Sequence, residues 1–164
     1  MQIAGIPSML LLLITLVAGS CSTTSQTATQ EKTTKSYSMA TRDWVFTANS
    51  ANPQSGRVRQ LSSDYTVTFT ATKLIANLPY YGQATAGADL FSGHGPLDFT
   101  STDFVADSRT TSKGALNIVI KPRDYNEVQS LDFTFYDNGT AYLSVLMLHR
   151  SPISFTGSVE QIKS

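Results

Sequence analysis

The amino-acid sequence predicts an all-β domain built as a small antiparallel β-barrel. Three observations support this: apolar and polar residues alternate with a period of two, turn residues separate the alternating segments, and threonine is frequent at polar positions. In the clearest segment, Tyr65–Ala71, Tyr, Val, Phe and Ala share one face and threonines occupy the other. A period of two is what a strand with one buried face requires. Threonine suits the exposed side of such a strand.

Further segments have the same character, which gives about eight or nine short strands in all. They are Trp44–Ala48, Val58–Ser62, Leu74–Leu78, Leu97–Ala106, Leu116–Ile120, Leu131–Tyr136, Ala141–Leu148 and Ile153–Thr156. The alternation predicts which side chains point inward: Val67, Phe69, Leu116, Ile118, Ile120, Phe133, Phe135 and Phe155. It predicts that Thr66, Thr68 and Thr134 point outward.

Turn chemistry supports the order of these strands. Asp137-Asn138-Gly139-Thr140 suits a type I′ hairpin, since Asn and Gly tolerate positive φ. Lys113-Gly114 predicts a turn before the strand that begins near Ala115. Lys121–Glu127 is the best helical candidate because Pro122 comes early and polar residues follow. We expect at most one short helical turn there, near 122–128.

The predicted strands follow one another through short turns, which favours a barrel over the alternative, a β-sandwich. A closed barrel also removes the unpaired edge strands that promote aggregation. The alternation by itself is compatible with both architectures.

The N-terminus predicts export and a lipid anchor. An apolar run, Leu10–Val17, is followed by Ala18-Gly19-Ser20 and then by Cys21, the one cysteine of the chain. This run is too short to span a bilayer, which requires about 20 apolar residues, but it fits a signal peptide. The string looks like the lipobox of bacterial lipoproteins, in which the cysteine thiol carries the lipid; ordinary secretion is the alternative.

Three regions are therefore expected. Residues 1–20 form the signal peptide. Residues 21–40, rich in Ser and Thr, form a flexible tether, because such a composition buries too little apolar surface to fold. Residues 41–162 form a single barrel domain. No acidic cluster follows Cys21 of the kind that outer-surface lipoproteins tend to carry, so we expect the protein to face the periplasm of the bacterial envelope.

Charge argues against nucleic acid as a partner. The chain has 12 Lys and Arg against 12 Asp and Glu, and no basic stripe. The expected partners are the membrane, through the lipid on Cys21, and either a small apolar ligand or an envelope protein.

A ligand site is predicted at one end of the barrel. Leu78-Pro79-Tyr80-Tyr81-Gly82 precedes a glycine-containing loop over residues 83–96. This loop is either a lid whose Tyr80 and Tyr81 contact a ligand or a solvated loop beside tyrosines that cover the barrel end. Arg57 and Arg59 flank Val58 and are expected on one strand face, where they either clamp an anion or stay solvated.

No residue pattern predicts a metal, a cofactor or a catalytic centre. His94 and His149 are the only histidines, and no third zinc ligand stands at a suitable spacing. No Gly-x-Ser-x-Gly motif is present, and the carboxylates form no acid–base pair by spacing. Enzymatic activity is left open, with nothing in favour of it.

Six strings resemble the DUF4251 family of Bacteroidetes lipoproteins of unknown function. They are Trp44-Val45-Phe46-Thr47-Ala48, Gly56-Arg57-Val58-Arg59-Gln60-Leu61, Leu78-Pro79-Tyr80-Tyr81-Gly82, Leu97-Asp98-Phe99-Thr100-Ser101, Ile118-Val119-Ile120-Lys121-Pro122 and Pro152-Ile153-Ser154-Phe155-Thr156-Gly157. The resemblance implies a lipocalin-like β-barrel, and it supplies no catalytic residues.

Two functions remain in competition. One is a barrel that binds a small apolar molecule or lipid, since barrel mouths are common ligand sites. The other is a structural or protein-interaction module of the envelope with a filled barrel. An eight-stranded barrel is just wide enough for either.

Overall fold

The computed structural model describes residues 43–62, 64–85, 88 and 95–162. The predicted signal peptide, the tether, Cys21, His94 and much of the loop 83–96 lie outside the described residues. The described part contains strands and no helix. The strands are β1 (Trp44–Pro53), β2 (Arg59–Gln60), β3 (Thr66–Phe69), β4 (Leu74–Asn77), β5 (Asp98–Ser101), β6 (Phe104–Thr110), β7 (Leu116–Pro122), β8 (Val128–Phe135), β9 (Thr140–Met147) and β10 (Ile153–Gln161).

One continuous antiparallel sheet contains all these strands, in the order β5-β4-β3-β1-β10-β9-β8-β7-β6, with β2 paired to β1. Its two end strands, β5 and β6, are joined by only Thr102 and Asp103. Because two residues span only about 7 Å, the sheet must curl until its ends nearly meet. The result is a nearly closed barrel, as predicted, rather than the two packed sheets of a sandwich.

The predicted strand Leu97–Ala106 explains how the barrel closes. It is divided at Thr102 and Asp103 into β5, which pairs with β4, and β6, which pairs with β7. The chain therefore passes from one end of the sheet to the other through a bend of only two residues. The sheet order given above contains nine strands, apart from β2. Because β5 and β6 are consecutive parts of one segment, they count as one strand, and the barrel has eight.

Inward-facing apolar side chains line the interior of the described barrel, as the alternation predicts. Seven of the eight predicted inward residues are at most 5% exposed. The eighth, Phe69, is half-buried against the same core. Thr66, Thr68 and Thr134 lie on the other face and are half-buried. The predicted strand Val58–Ser62 is wrong in extent, because only Arg59 and Gln60 pair with β1.

Aromatic rings form the centre of this core. Trp44 stacks on Phe69 with ring centroids 5.1 Å apart, and it meets Phe133 and Phe135 edge-on at 4.9 and 5.1 Å. Phe46 meets Phe133 edge-on at 5.6 Å. Edge-on and stacked rings at these distances are the favoured arrangements of aromatic pairs. The rings come from β1, β3 and β8, so they join opposite walls of the barrel.

The turns agree with the prediction in place but not in every detail. At Lys113-Gly114 the chain reverses, with Gly114 at φ +81°. At the β8–β9 turn the Gly139 N–H donates to the Tyr136 carbonyl, and the Tyr136 N–H donates to the Thr140 carbonyl. This is the pattern of a three-residue loop with glycine in the left-handed region, so the predicted two-residue type I′ turn is wrong by one residue.

The helical candidate Lys121–Glu127 is wrong, because its first two residues belong to β7 and the rest form bends and a turn. Pro122 is the last residue of β7 and lies opposite Phe104. Residues 123–127 then reverse the chain into β8.

Candidate functional site

The predicted ligand residues Tyr80 and Tyr81 follow β4 at the barrel end where β9 finishes and β10 begins. Residues 78–85 are named here the rim segment, and its last three residues run alongside residues 149–151. The Ser151 N–H donates to the Gln83 carbonyl over 2.9 Å, and the Thr85 N–H donates to the His149 carbonyl over 2.8 Å. These backbone hydrogen bonds fix the rim segment to the connection between β9 and β10.

The Tyr80 side chain adds to this attachment. Its hydroxyl lies 2.8 Å from the Ser151 carbonyl oxygen and 3.2 Å from the Gln83 carbonyl oxygen. Because a phenol has one proton, the shorter contact to Ser151 is the stronger candidate for the hydrogen bond. A Cβ atom on Gly82 would overlap the Tyr80 hydroxyl. Glycine at position 82 therefore lets the tyrosine ring fold back over the chain.

A cation lies over each of the two tyrosine rings. The Arg59 guanidinium is 4.6 Å from the centroid of Tyr81, and the Arg150 guanidinium is 5.6 Å from that of Tyr80. Both distances are within the range of cation–π attraction, about 6 Å. Arg150 also pairs with Glu127 at 3.3 Å, with side chains only 10% and 20% exposed. The rim segment is thus held by aromatic, ionic and hydrogen-bonding contacts together.

The structure separates the two arginines that the sequence placed on one strand. Arg59 lies in β2, whereas Arg57 and Val58 precede it in an exposed segment. The prediction that both arginines lie on one strand face is therefore wrong, since β2 comprises only Arg59 and Gln60. The role of Arg57, Arg59, Tyr80 and Tyr81 in ligand binding stays a prediction.

A second polar cluster, which the sequence did not reveal, lies where the barrel closes. The Asp124 carboxylate accepts hydrogen bonds from the Ser101 hydroxyl at 2.5 Å, the Thr102 N–H at 2.8 Å and the Asp103 N–H at 3.1 Å. The Arg123 N–H in turn donates to the Asp103 carbonyl over 2.8 Å. Asp124 therefore holds the link from β5 to β6 against the turn after β7.

These hydrogen bonds favour the charged form of Asp124. The Ser101 hydroxyl contributes most and the Thr102 N–H next, and together with the Asp103 N–H they lower the pKa of Asp124 from 3.8 to about 2. A carboxylate can accept all of these donors, whereas the protonated acid loses acceptor capacity. The closure is therefore most stable when Asp124 is ionised.

The depressed pKa predicts an acid-sensitive contribution to stability. The contribution of Asp124 is fully present above pH 3.8 and is lost as the pH falls toward about 2. We expect the urea midpoint of the wild-type protein to fall between pH 4 and pH 2 more steeply than that of Asp124→Asn, which cannot ionise. Urea titrations of both proteins at a series of pH values measure this difference. Identical pH dependence of the two midpoints would contradict the assignment.

Neither a metal centre nor a transmembrane helix is found in the described part of the chain. No group of three or more His, Cys, Asp or Glu side chains there is placed to hold a metal ion. No described helix is long and apolar enough to cross a membrane. His149 contributes its backbone carbonyl to the rim contact described above.

The barrel and its rim can be compared with known proteins. The family described as "Domain of unknown function (DUF4251)" matches residues 25–159. The chain belongs to the DUF4251 family. The resemblance inferred from the sequence strings is therefore confirmed.

A solved member of the DUF4251 family has the same fold. The crystal structure of a DUF4251 family protein from Bacteroides eggerthii DSM 20697 superposes with a TM-score of 0.54, over 83% of this chain and 92% of that chain. The two sequences are 12% identical, so the likeness shows the fold alone. No curated protein matches the chain.

Proposed function

We propose that this protein is a lipid-anchored component of the bacterial envelope, facing the periplasm, whose filled barrel is a structural or protein-interaction module. The anchor and the location rest on the apolar run that ends at Cys21. The choice of an interaction module over a carrier rests on one observation, the aromatic packing inside the barrel.

An eight-stranded barrel either fills its interior with side chains or encloses one small ligand. Here Trp44, Phe46 and Phe133 are fully buried, and rings from facing walls are in contact at 4.9 to 5.6 Å. Rings in contact across the barrel occupy the space that a carrier would keep for its ligand. The module would then act through its outer surface.

The outer surface offers apolar side chains for such contacts. Tyr142, Leu146 and Leu148 are 38%, 45% and 49% exposed, on or just after β9. The strand β9 is paired on both sides, to β8 and to β10, so these residues project from a sheet face rather than from an edge. Exposed apolar side chains grouped on one face are typical of protein-contact surfaces.

One observation favours the second candidate, a barrel that binds a small apolar molecule. The indole nitrogen of Trp44 is buried, and no described residue provides a hydrogen-bond acceptor for it. An unsatisfied buried donor costs about 1–3 kcal/mol. A ligand with an oxygen acceptor would satisfy this N–H, with Tyr80, Tyr81, Arg57 and Arg59 as the predicted contacts at the barrel end.

Native mass spectrometry of protein purified from its own envelope distinguishes the two candidates. The interaction module predicts that the folded chain has the mass of the lipidated polypeptide alone, or of a complex with another protein. A reproducible additional mass of a small molecule, released on unfolding, would contradict the filled barrel and support the carrier.

The lipid anchor is tested by Cys21→Ala. The wild-type protein is expected in the membrane fraction, and the variant is expected to move to the soluble fraction because it has no thiol for the lipid. Mass spectrometry of the wild-type N-terminus should show a diacylated Cys21. A variant that stays in the membrane fraction with the wild type would contradict the anchor.

A further inference from the structure

The strand β6 is an exposed edge of the sheet. It pairs with β7 over its whole length and with no other described strand. From Ala106 to Thr110 every residue is exposed, on the inner face of the sheet as well as on its outer face. Edge strands of this kind present unpaired backbone groups that can add another strand.

The hydrogen bonds of the β6–β7 ladder show which backbone groups are unpaired. Thr111 donates to Ala115, and Arg123 donates to Asp103, both in register with the ladder. In an antiparallel pair, hydrogen-bonded positions alternate. The backbone N–H and C=O groups of the odd-numbered residues of β6 therefore point toward β7. Those of Ala106, Ser108 and Thr110 point away from it.

Opposite charges lie on either side of the middle residue of this edge. Asp107 and Arg109 are the residues before and after Ser108, and their side chains lie on the outer face of β6. They lie opposite Val119 and Asn117 of β7. The Arg109 Nε donates to the Asn117 side-chain oxygen over 3.0 Å, which holds the arginine on this face. When two such strands pair antiparallel about Ser108, the negative charge of each lies opposite the positive charge of the other.

We propose that β6 pairs antiparallel with β6 of a second copy of this chain, across a two-fold axis at Ser108. Ser108 of one copy lies opposite Ser108 of the other, and Ala106 of each copy lies opposite Thr110 of the other. The backbone groups that point away from β7 then form about six hydrogen bonds between the copies. Asp107 of each copy lies opposite Arg109 of the other, in the closely spaced non-hydrogen-bonded pairs where side chains interact most.

The neighbouring registers are disfavoured by charge. Moving the axis to residue 107 places Asp107 opposite Asp107, and moving it to residue 109 places Arg109 opposite Arg109. Like charges directly opposite in a sheet are destabilising. The pairing is isologous, as two-fold interfaces are, and it depends on neither the lipid anchor nor the filled interior.

Disulfide trapping tests the register. In the full chain carrying Cys21→Ala, Ser108→Cys brings the two introduced thiols to a Cα separation of about 5.5 Å, within the range that a disulfide bridges. The matched control, Ala106→Cys, changes the same edge, but its thiols lie four residues apart along the strand, about 14 Å. We expect a covalent dimer for Ser108→Cys and none for Ala106→Cys under the same oxidation.

Sedimentation equilibrium of the Cys21→Ala full chain tests the charges and the backbone contacts. Asp107→Arg is expected to weaken the dimer by about tenfold, and the exchange Asp107→Arg with Arg109→Asp to restore it. Ser108→Pro is expected to abolish the dimer without disturbing the β6–β7 ladder, because the lost N–H faces away from β7. Circular dichroism of each variant reports whether the barrel remains folded.

Two results would overturn the proposal. One is a monomer at all concentrations together with equal cross-linking of the two cysteine variants. The other is a monomer in which hydrogen exchange shows the amides of Ala106, Ser108 and Thr110 protected. That outcome would assign the edge to another segment of the same chain, such as residues 25–42.

Discussion

Phe133→Ala should lower the free energy of unfolding by about 3–5 kcal/mol, the cost of removing a fully buried Phe. Phe133 is 0% exposed, and its ring contacts Trp44, Phe46 and Phe135. Each aromatic pair contributes about 0.5–1.5 kcal/mol beyond the area that it buries, so the loss should lie near the upper end. Urea unfolding followed by circular dichroism measures it.

The control for this prediction is Thr68→Ala. Thr68 lies on the outer face of β3, half-buried, opposite Val45 and Ile75. We expect this substitution to change stability by no more than about 0.5 kcal/mol, as is usual for surface positions. Equal losses from Phe133→Ala and Thr68→Ala would mean that inner and outer faces are wrongly assigned.

Gly157→Ala should be the second most damaging substitution, and for a different reason. Gly157 of β10 lies opposite Ala48 of β1, beside the register shift between Ala48 and Ser50. A Cβ atom there would overlap the Thr47 carbonyl oxygen and lie 2.9 Å from Phe46 Cε2. Because backbone cannot give way as a side chain can, β1 and β10 would have to separate, at a cost of about 1–3 kcal/mol or more.

Gly95→Ala is the matched control, since a Cβ atom at Gly95 would meet nothing within 4 Å. Its expected effect on the urea midpoint is close to zero. Gly157→Ala should lower the midpoint clearly. A Gly157→Ala protein as stable as Gly95→Ala would show that β1 and β10 do not approach each other as closely as described.

The local part of the fold was predictable from the sequence because alternation is itself local. The strands around Val67, Ile118, Phe133 and Phe155 were found with the correct inner faces. The division of Leu97–Ala106 into β5 and β6 was not, because the bend at Thr102 and Asp103 is short and contains neither glycine nor proline. What changes at Thr102 is the strand beside the chain, and no residue pattern within the segment reports this.

The candidate site was predictable only in part, for the same reason. Tyr80, Tyr81 and Arg59 were identified from local composition, and the structure brings Arg59 onto Tyr81. Their remaining partners lie far away in the chain: Ser151 is 71 residues from Tyr80. Asp124 similarly reaches Ser101 across 23 residues. Contacts over such separations depend on barrel closure, which the pattern of a single strand does not encode.

The filled barrel is the central claim, and it is tested most directly by whether the interior admits a small apolar probe. The fluorescence of Trp44, the one tryptophan of the chain, reports on the core. We expect benzene and a long-chain fatty acid to leave it unchanged in the wild-type protein. Phe133→Ala, or Leu143→Ala if the first variant is too unstable, should open an apolar cavity that takes up benzene. Uptake of either probe by the wild-type protein with the affinity of the cavity variant would contradict the filled barrel.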